Sequence, residues 1–130
     1  MSNAITDLLA AVESGTGVPA GVLADEVVLD ATVPSWRMTV RGADAVRDRY
    51  AVWFADAGHF ESLERTAIPA GEAVRFLLTW VEAGVPHAAH QAHFFELDAT
   101  GRIVRDEMYC GGRWDAGLLA EMEAADRASA

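Results

Sequence analysis

The sequence predicts an α+β domain: helices and a first strand, then a four-stranded antiparallel meander. Three observations predict it. Apolar residues at helical spacing are confined to the first half and the extreme C-terminus. Between them lie four strand-like runs, "HFESLERTAI", "AVRFLLTWVEAG", "PHAAHQAHFFELD" and "RIVRDEMYC", separated by the turn signals "PAGE", "AGVP" and "DATG". Finally, 130 residues, 52% of them hydrophobic, supply one compact domain over 1–130 with a real core, but not two.

Each element has its own signal. Ile5, Leu8, Leu9 and Val12 follow helical spacing, and Gly15 ends that helix. "VPAGVLADE" (18–26) reads as a second short helix, with Pro19 suited to its first turn. "VVLDATVP" (27–34) is rich in β-branched residues and closes at Pro34, which gives a strand followed by an irregular segment. After Gly42, Val46, Tyr50, Trp53, Phe54 and Ala57 form one stripe of a long helix that Gly58 stops. The last two strands read as a hairpin in which Leu97 and Ile103 flank a loop with Gly101 at positive φ. A closing helix follows Trp114, with Asp115 as N-cap and Leu118, Leu119, Met122 and Ala125 on its buried face.

Composition narrows the function classes. Twenty acidic residues against ten basic ones leave a net charge of −10, with no basic patch. That argues against nucleic-acid and anionic-membrane partners. A lone cysteine, Cys110, forbids an intrachain disulfide and suits a reducing, cytoplasmic setting. No run approaches a membrane span, and the start lacks a secretory pattern. His87, His90 and His93, spaced by three, would converge on a metal if helical. On a strand, His90 points opposite to the other two, and His87 and His93 stand about 20 Å apart. The strand assignment therefore excludes a metal centre from this trio. "GTGVPAG" follows a helix rather than a strand, so it is not a dinucleotide loop, and no other cofactor motif occurs.

"LADEVVLDATVPSWRMTVRGADAVRDRY" followed by "HFFELDATGRIVRDEMYCGGRW" resembles the nuclear transport factor 2-like (NTF2-like) superfamily, in its SnoaL-like branch, over nearly the whole chain. The resemblance implies a cystatin/NTF2-like curved antiparallel sheet packed on N-terminal helices, a cone-shaped apolar pocket and homodimerisation through the sheet. It leaves activity open: members include ketosteroid isomerases, limonene epoxide hydrolases, polyketide cyclases, dehydratases and binding proteins.

By resemblance, Asp30 falls where ketosteroid isomerases carry a general base. Desolvation between Leu29 and Ala31 would raise its pKa toward that role; the other reading is an acceptor at a strand end. The isomerase's first-helix tyrosine and second acid have no match. On the last strand, Met108 stands where epoxide hydrolases carry an acid, and Asp106 where cyclases carry a histidine. If Leu97 pairs with Ile103, then Phe94 faces Asp106, Ala92 faces Met108 and His90 faces Cys110, which the resemblance makes the pocket side. His87, Gln91, His93, Arg105, Glu107 and Tyr109 then line the other side. A slip of one residue exchanges the faces.

On this pairing His90 and Asp106 form an acid–base couple with Asp30 across the pocket, or His90 is simply bonded to backbone. Cys110, on the candidate ligand-binding side, reads as a nucleophile or as a small buried side chain, with nothing electropositive beside it to lower its pKa. Trp36, Trp80, Phe94 and Met108 complete the candidate ligand-binding walls, with Trp36 alternatively a packing residue. The expectation is a cofactor-free, metal-free homodimer that binds a small apolar molecule. Three roles stay open: proton-transfer isomerase, cyclase or dehydratase on a carbonyl-bearing ring compound; binding or sensing module; and structural interaction domain.

Overall fold

The computed structural model describes residues 3–129. Helix α1 (Ala4–Ser14) begins where the Asn3 side chain accepts the Thr6 N–H at 2.9 Å. It ends at Gly15, whose φ of 69° lets its N–H reach the Ala11 carbonyl. Its stripe of Ile5, Leu8, Leu9 and Val12 is buried. Each such side chain contributes roughly 1.5–3 kcal/mol of transfer free energy. Helix α2 (Ala43–Trp53) opens after Gly42 and buries Val46 and Tyr50. It stops at Trp53, short of Gly58, which instead opens a strand.

One six-stranded sheet carries the rest, in the order β2-β1-β6-β5-β4-β3. The strands are β1 (Leu23–Val33), β2 (Trp36–Arg41), β3 (Gly58–Ile68), β4 (Gly71–Glu82), β5 (Val85–Leu97) and β6 (Ile103–Asp115). β3 to β6 form the expected meander, while β1 joins β6 in parallel and thereby carries the N-terminal half into the sheet. The fold is α+β. The core is a contiguous cluster between one face of the sheet and α1 and α2.

Three expectations need correction. "VPAGVLADE" is not a helix: Gly17 and Gly21 take positive φ, the chain turns, and β1 starts at Leu23. The segment after Pro34 is not irregular, because "WRMTVR" is β2, with Met38 and Val40 half-buried between exposed Arg37, Thr39 and Arg41. Helix α3 (Ala116–Ser129) is capped by Asp115, which accepts the Leu118 N–H at 2.7 Å, but it buries nothing within this chain. Its Leu118 and Met122 face outward, 41% and 37% exposed.

Candidate functional site

The register of the β5–β6 hairpin decides which side chains meet. Leu97 pairs with Ile103 as expected, and Gly101 turns the hairpin at φ 84°. The next pair, however, is Glu96 with Arg105, so Val104 is an extra residue that bulges out of the ladder. From there Phe95 opposes Asp106, His93 opposes Met108 and Gln91 opposes Cys110. The expected pairs Phe94–Asp106, Ala92–Met108 and His90–Cys110 do not form. Asp106, Met108 and Cys110 face the core as anticipated, but their companions on β5 are Phe95, His93 and Gln91.

On this face lies a cavity of about 380 Å³. Met108 and Cys110 of β6, Ala89 and Gln91 of β5, and Leu78 and Trp80 of β4 form its sheet wall. Met38 of β2 and Trp53 and Phe54 at the end of α2 close it from the other side. Asp56 and Arg113, both exposed, also border it. Arg113 sits over the Trp80 ring at 5.0 Å and pairs with Glu82. Gln91, 8% exposed, is the buried hydrogen-bonding amide of the wall.

Behind Gln91 runs a buried polar chain. His93 Nε2 lies 2.9 Å from Gln91 Oε1, and His93 Nδ1 lies 2.9 Å from Asp106 Oδ1. Tyr50 of α2 donates its hydroxyl to Asp106 Oδ2. Gln91 Nε2 donates to Cys110 Sγ at 3.6 Å. His93 and Asp106 are each 1% exposed, and the rings of Phe76 and Phe95 stack on the imidazole at 5.5 and 5.2 Å. Burial, and then the Asp106 carboxylate, push the Tyr50 hydroxyl well above its ordinary pKa, so it stays a donor. A carbonyl oxygen only accepts, so the amide as oriented takes its hydrogen bond from His93 Nε2.

The other candidates fall elsewhere. Asp30 lies on the opposite sheet face, where Arg37 takes both its oxygens at 3.0–3.1 Å and Arg105 takes Oδ2 at 3.0 Å. The hydrogen bond from Arg37 outweighs desolvation and holds its carboxyl below the ordinary range, the reverse of what a base working at neutral pH needs. His90 is exposed on that same outer face beside Trp114, at 5.9 Å, and cannot couple to Asp106. Phe94, 41% exposed, meets Tyr109 edge-on there. Trp36 is 69% exposed and does not line the cavity, whereas Trp80, Met108 and Cys110 do.

His87 lies opposite Trp80 and stacks on it, so His87 and His93 share the face that His90 does not. Among the described residues no three His, Cys, Asp or Glu side chains gather as a metal site, and no helix is long and apolar enough to cross a membrane. Sequence reasoning missed Gln91 and His93 by the one-residue bulge, and read Tyr50 as plain core.

No family model and no curated protein matches the sequence. Solved structures do. An NTF2-like protein from Burkholderia xenovorans superposes with a TM-score of 0.64 at 15% identity, over 85% of this chain and 92% of that one. A hypothetical protein of ketosteroid isomerase-like fold from Catenulispora acidiphila, in complex with trimethylamine, gives 0.62 at 16% identity over 82% and 83%. A Rhodopseudomonas palustris protein described provisionally as an isomerase gives 0.61 at 17% over 85% and 91%. The fold is therefore NTF2-like.

Proposed function

We propose that this chain binds a small, largely apolar molecule in the cavity between the sheet and α2, with Gln91 meeting the ligand's polar group. The observation that carries this reading is the combination of an apolar-walled space of about 380 Å³ with one buried amide braced from behind by His93 and Asp106. A carbonyl-bearing ring compound fits that chemistry: its ring fills the apolar walls and its oxygen takes an amide N–H. Binding without turnover is the stronger form, because Gln91 stands between the cavity and the buried His93–Asp106 pair.

A catalytic form has one specific support. The hydrogen-bonded His93–Asp106 pair, side-chain types that move protons in an isomerase, cyclase or dehydratase, lies directly behind the wall. The ketosteroid isomerase-like fold of the Catenulispora acidiphila protein is compatible with it. The chain is also read as a homodimer, paired through the sheet face opposite the one packed on α1 and α2.

Calorimetric titration of the wild type and Ala89→Phe with apolar ring ketones and phenols tests the site. Ala89 is 2% exposed and lines the cavity, so a phenyl ring there occupies it. Ligands that bind the wild type should lose at least about tenfold in affinity, roughly 1.4 kcal/mol. Equal binding to a folded Ala89→Phe protein rules the cavity out.

A further inference from the structure

We propose that the cavity selects cationic ligands: apolar ring compounds with an acceptor at the inner end and an ammonium group at the mouth, where Asp56 receives it. The inference rests on the cavity being the ligand site, and it adds the charge and the orientation of what binds there.

Two charged side chains border the cavity, Asp56 and Arg113, and they differ in what already answers them. Arg113 is engaged within the chain: its guanidinium lies over the Trp80 ring at 5.0 Å and pairs with Glu82. Glu82 in turn accepts the Trp80 indole N–H at 3.3 Å. That bond first, and then Arg113, hold the Glu82 carboxyl below its ordinary range, so it is ionised and offsets the arginine. Asp56, in the loop between α2 and β3, makes no hydrogen bond or ion pair among the described residues. The unanswered charge at the mouth is therefore negative. The other basic groups beside these walls are already turned to rings. Arg49 lies over Trp53 at 5.6 Å without bordering the cavity, and His87 stacks on Trp80.

The inner end suits an acceptor and excludes an ammonium. Gln91 Oε1 is held by His93 Nε2, and Cys110 takes one amide hydrogen, so the other hydrogen is what a ligand meets. Leu78, Ala89 and Met108 surround that position, and a charge buried among them without a partner is strongly disfavoured. At the mouth a cation keeps its water and gains the Asp56 carboxylate. The rings of Trp53 and Phe54, from the same end of α2, present π-faces to it as well. The net charge of −10 acts in the same direction, drawing cations and repelling anions at low ionic strength.

Three probes of one body and similar size test the selection: para-aminomethylacetophenone (cationic), para-ethylacetophenone (neutral) and para-acetylbenzoate (anionic). Each is titrated calorimetrically into the full chain as wild type, Asp56→Asn and Ala89→Phe, at about 20 mM and about 300 mM salt. At low salt, wild type should bind the cationic probe about fivefold or more tightly than the neutral one, the size of an ion pair with aromatic support. The anionic probe should bind most weakly, and high salt should narrow the spread. Asp56→Asn, at an exposed position, should bring the cationic-to-neutral ratio within about twofold. Ala89→Phe should weaken all three.

Equal binding of the cationic and neutral probes to wild type, or a preference for the anion, overturns the selection. The cavity reading survives that result if Ala89→Phe still weakens binding. A cationic preference that persists in Asp56→Asn at low salt belongs to the overall charge and removes Asp56 as its cause. Probes that bind Ala89→Phe as well as wild type, or that bind neither protein, sink the cavity reading and this inference with it.

Discussion

His93 and Asp106 are joined diagonally across the β5–β6 ladder. Asp106 lies opposite Phe95 and His93 opposite Met108, yet Nδ1 and Oδ1 are 2.9 Å apart. The bulge at Val104 permits this, because it brings the odd-numbered positions of β5 onto the same face as the even-numbered positions of β6. Tyr50 then ties the couple to α2, so the helix, the hairpin and the cavity wall share one hydrogen-bonded chain.

That chain makes Asp106 costly to truncate. Asp106→Ala leaves the Tyr50 hydroxyl and the His93 ring without their buried acceptor, and should lower the unfolding free energy in urea by about 3–5 kcal/mol. Asp106→Asn keeps an acceptor for Tyr50 and a partner for His93, so it should lose less than half as much. If the two variants lose the same amount, the couple contributes packing rather than hydrogen bonding.

Asp30 has the opposite task, and its pH signature has a definite sign. Its folded pKa is held below the ordinary 3.8, first by the Arg37 hydrogen bond and, against desolvation, by Arg37 and Arg105 charge. A depressed carboxylate stabilises the fold fully above its unfolded pKa and loses that contribution as pH falls through the folded one. Glu72, lowered by Arg65, acts in the same direction. Melting temperatures of wild type and Asp30→Asn should therefore differ at neutral pH, with wild type higher, and converge only as pH falls through the folded pKa, below the ordinary 3.8. The difference should be modest, since Arg37 is 68% exposed and screened by solvent. A gap that persists unchanged into acid removes the ion pair as its cause.

Much of this was legible in the sequence, and the losses have physical causes. The stripes of α1 and α2, the four runs of the meander, Gly15 and Gly101 are local signals, set by spacing and backbone conformation that neighbours cannot overrule. β2 was equally local: the alternation of Trp36, Met38 and Val40 with Arg37, Thr39 and Arg41 is a period-two pattern that deserved a strand. The site was different. Whether His90 or His93 reaches Asp106 depends on a single extra residue in the partner strand, and Val104 carries no mark of it. Asp30 turned outward for a similar reason. Its role is set by Arg37 and Arg105, one across a turn and the other 75 positions later.

Two glycines at positive φ should respond differently to a methyl group. A Cβ at Gly15 would lie 2.8 Å from the Ala57 nitrogen, while one at Gly101 meets nothing within 4 Å. Gly101→Ala should cost about 1 kcal/mol, the strain of its φ alone. Gly15→Ala adds a backbone clash between α1 and the loop after α2 and should cost roughly 2–3 kcal/mol. Urea melts of both variants check this, and equal losses would mean that the loop simply moves aside.

The outer sheet face completes the argument. Phe94 and Tyr109, 41% and 45% exposed, meet edge-on at 6.2 Å, with Ala73 and Ala92 as their strand partners. Flanking them are charges already paired within the chain, Glu64 with Arg75 and Asp30 with Arg37 and Arg105. A small apolar centre inside a self-neutralised rim suits a second copy of the same face, despite the net charge of −10. Wild type should therefore sediment as a dimer at micromolar concentration. Phe94→Asp places a carboxylate opposite Glu107 and should weaken the dimer by about a hundredfold, a loss of roughly 3 kcal/mol. Cavity ligands should bind the resulting monomer unchanged, because Phe94 and Gln91 lie on opposite faces of the sheet. A wild-type monomer, or a Phe94→Asp dimer of undiminished affinity, would place the contact elsewhere. The exposed stripe of Leu118 and Met122 on α3 is then the next surface to probe.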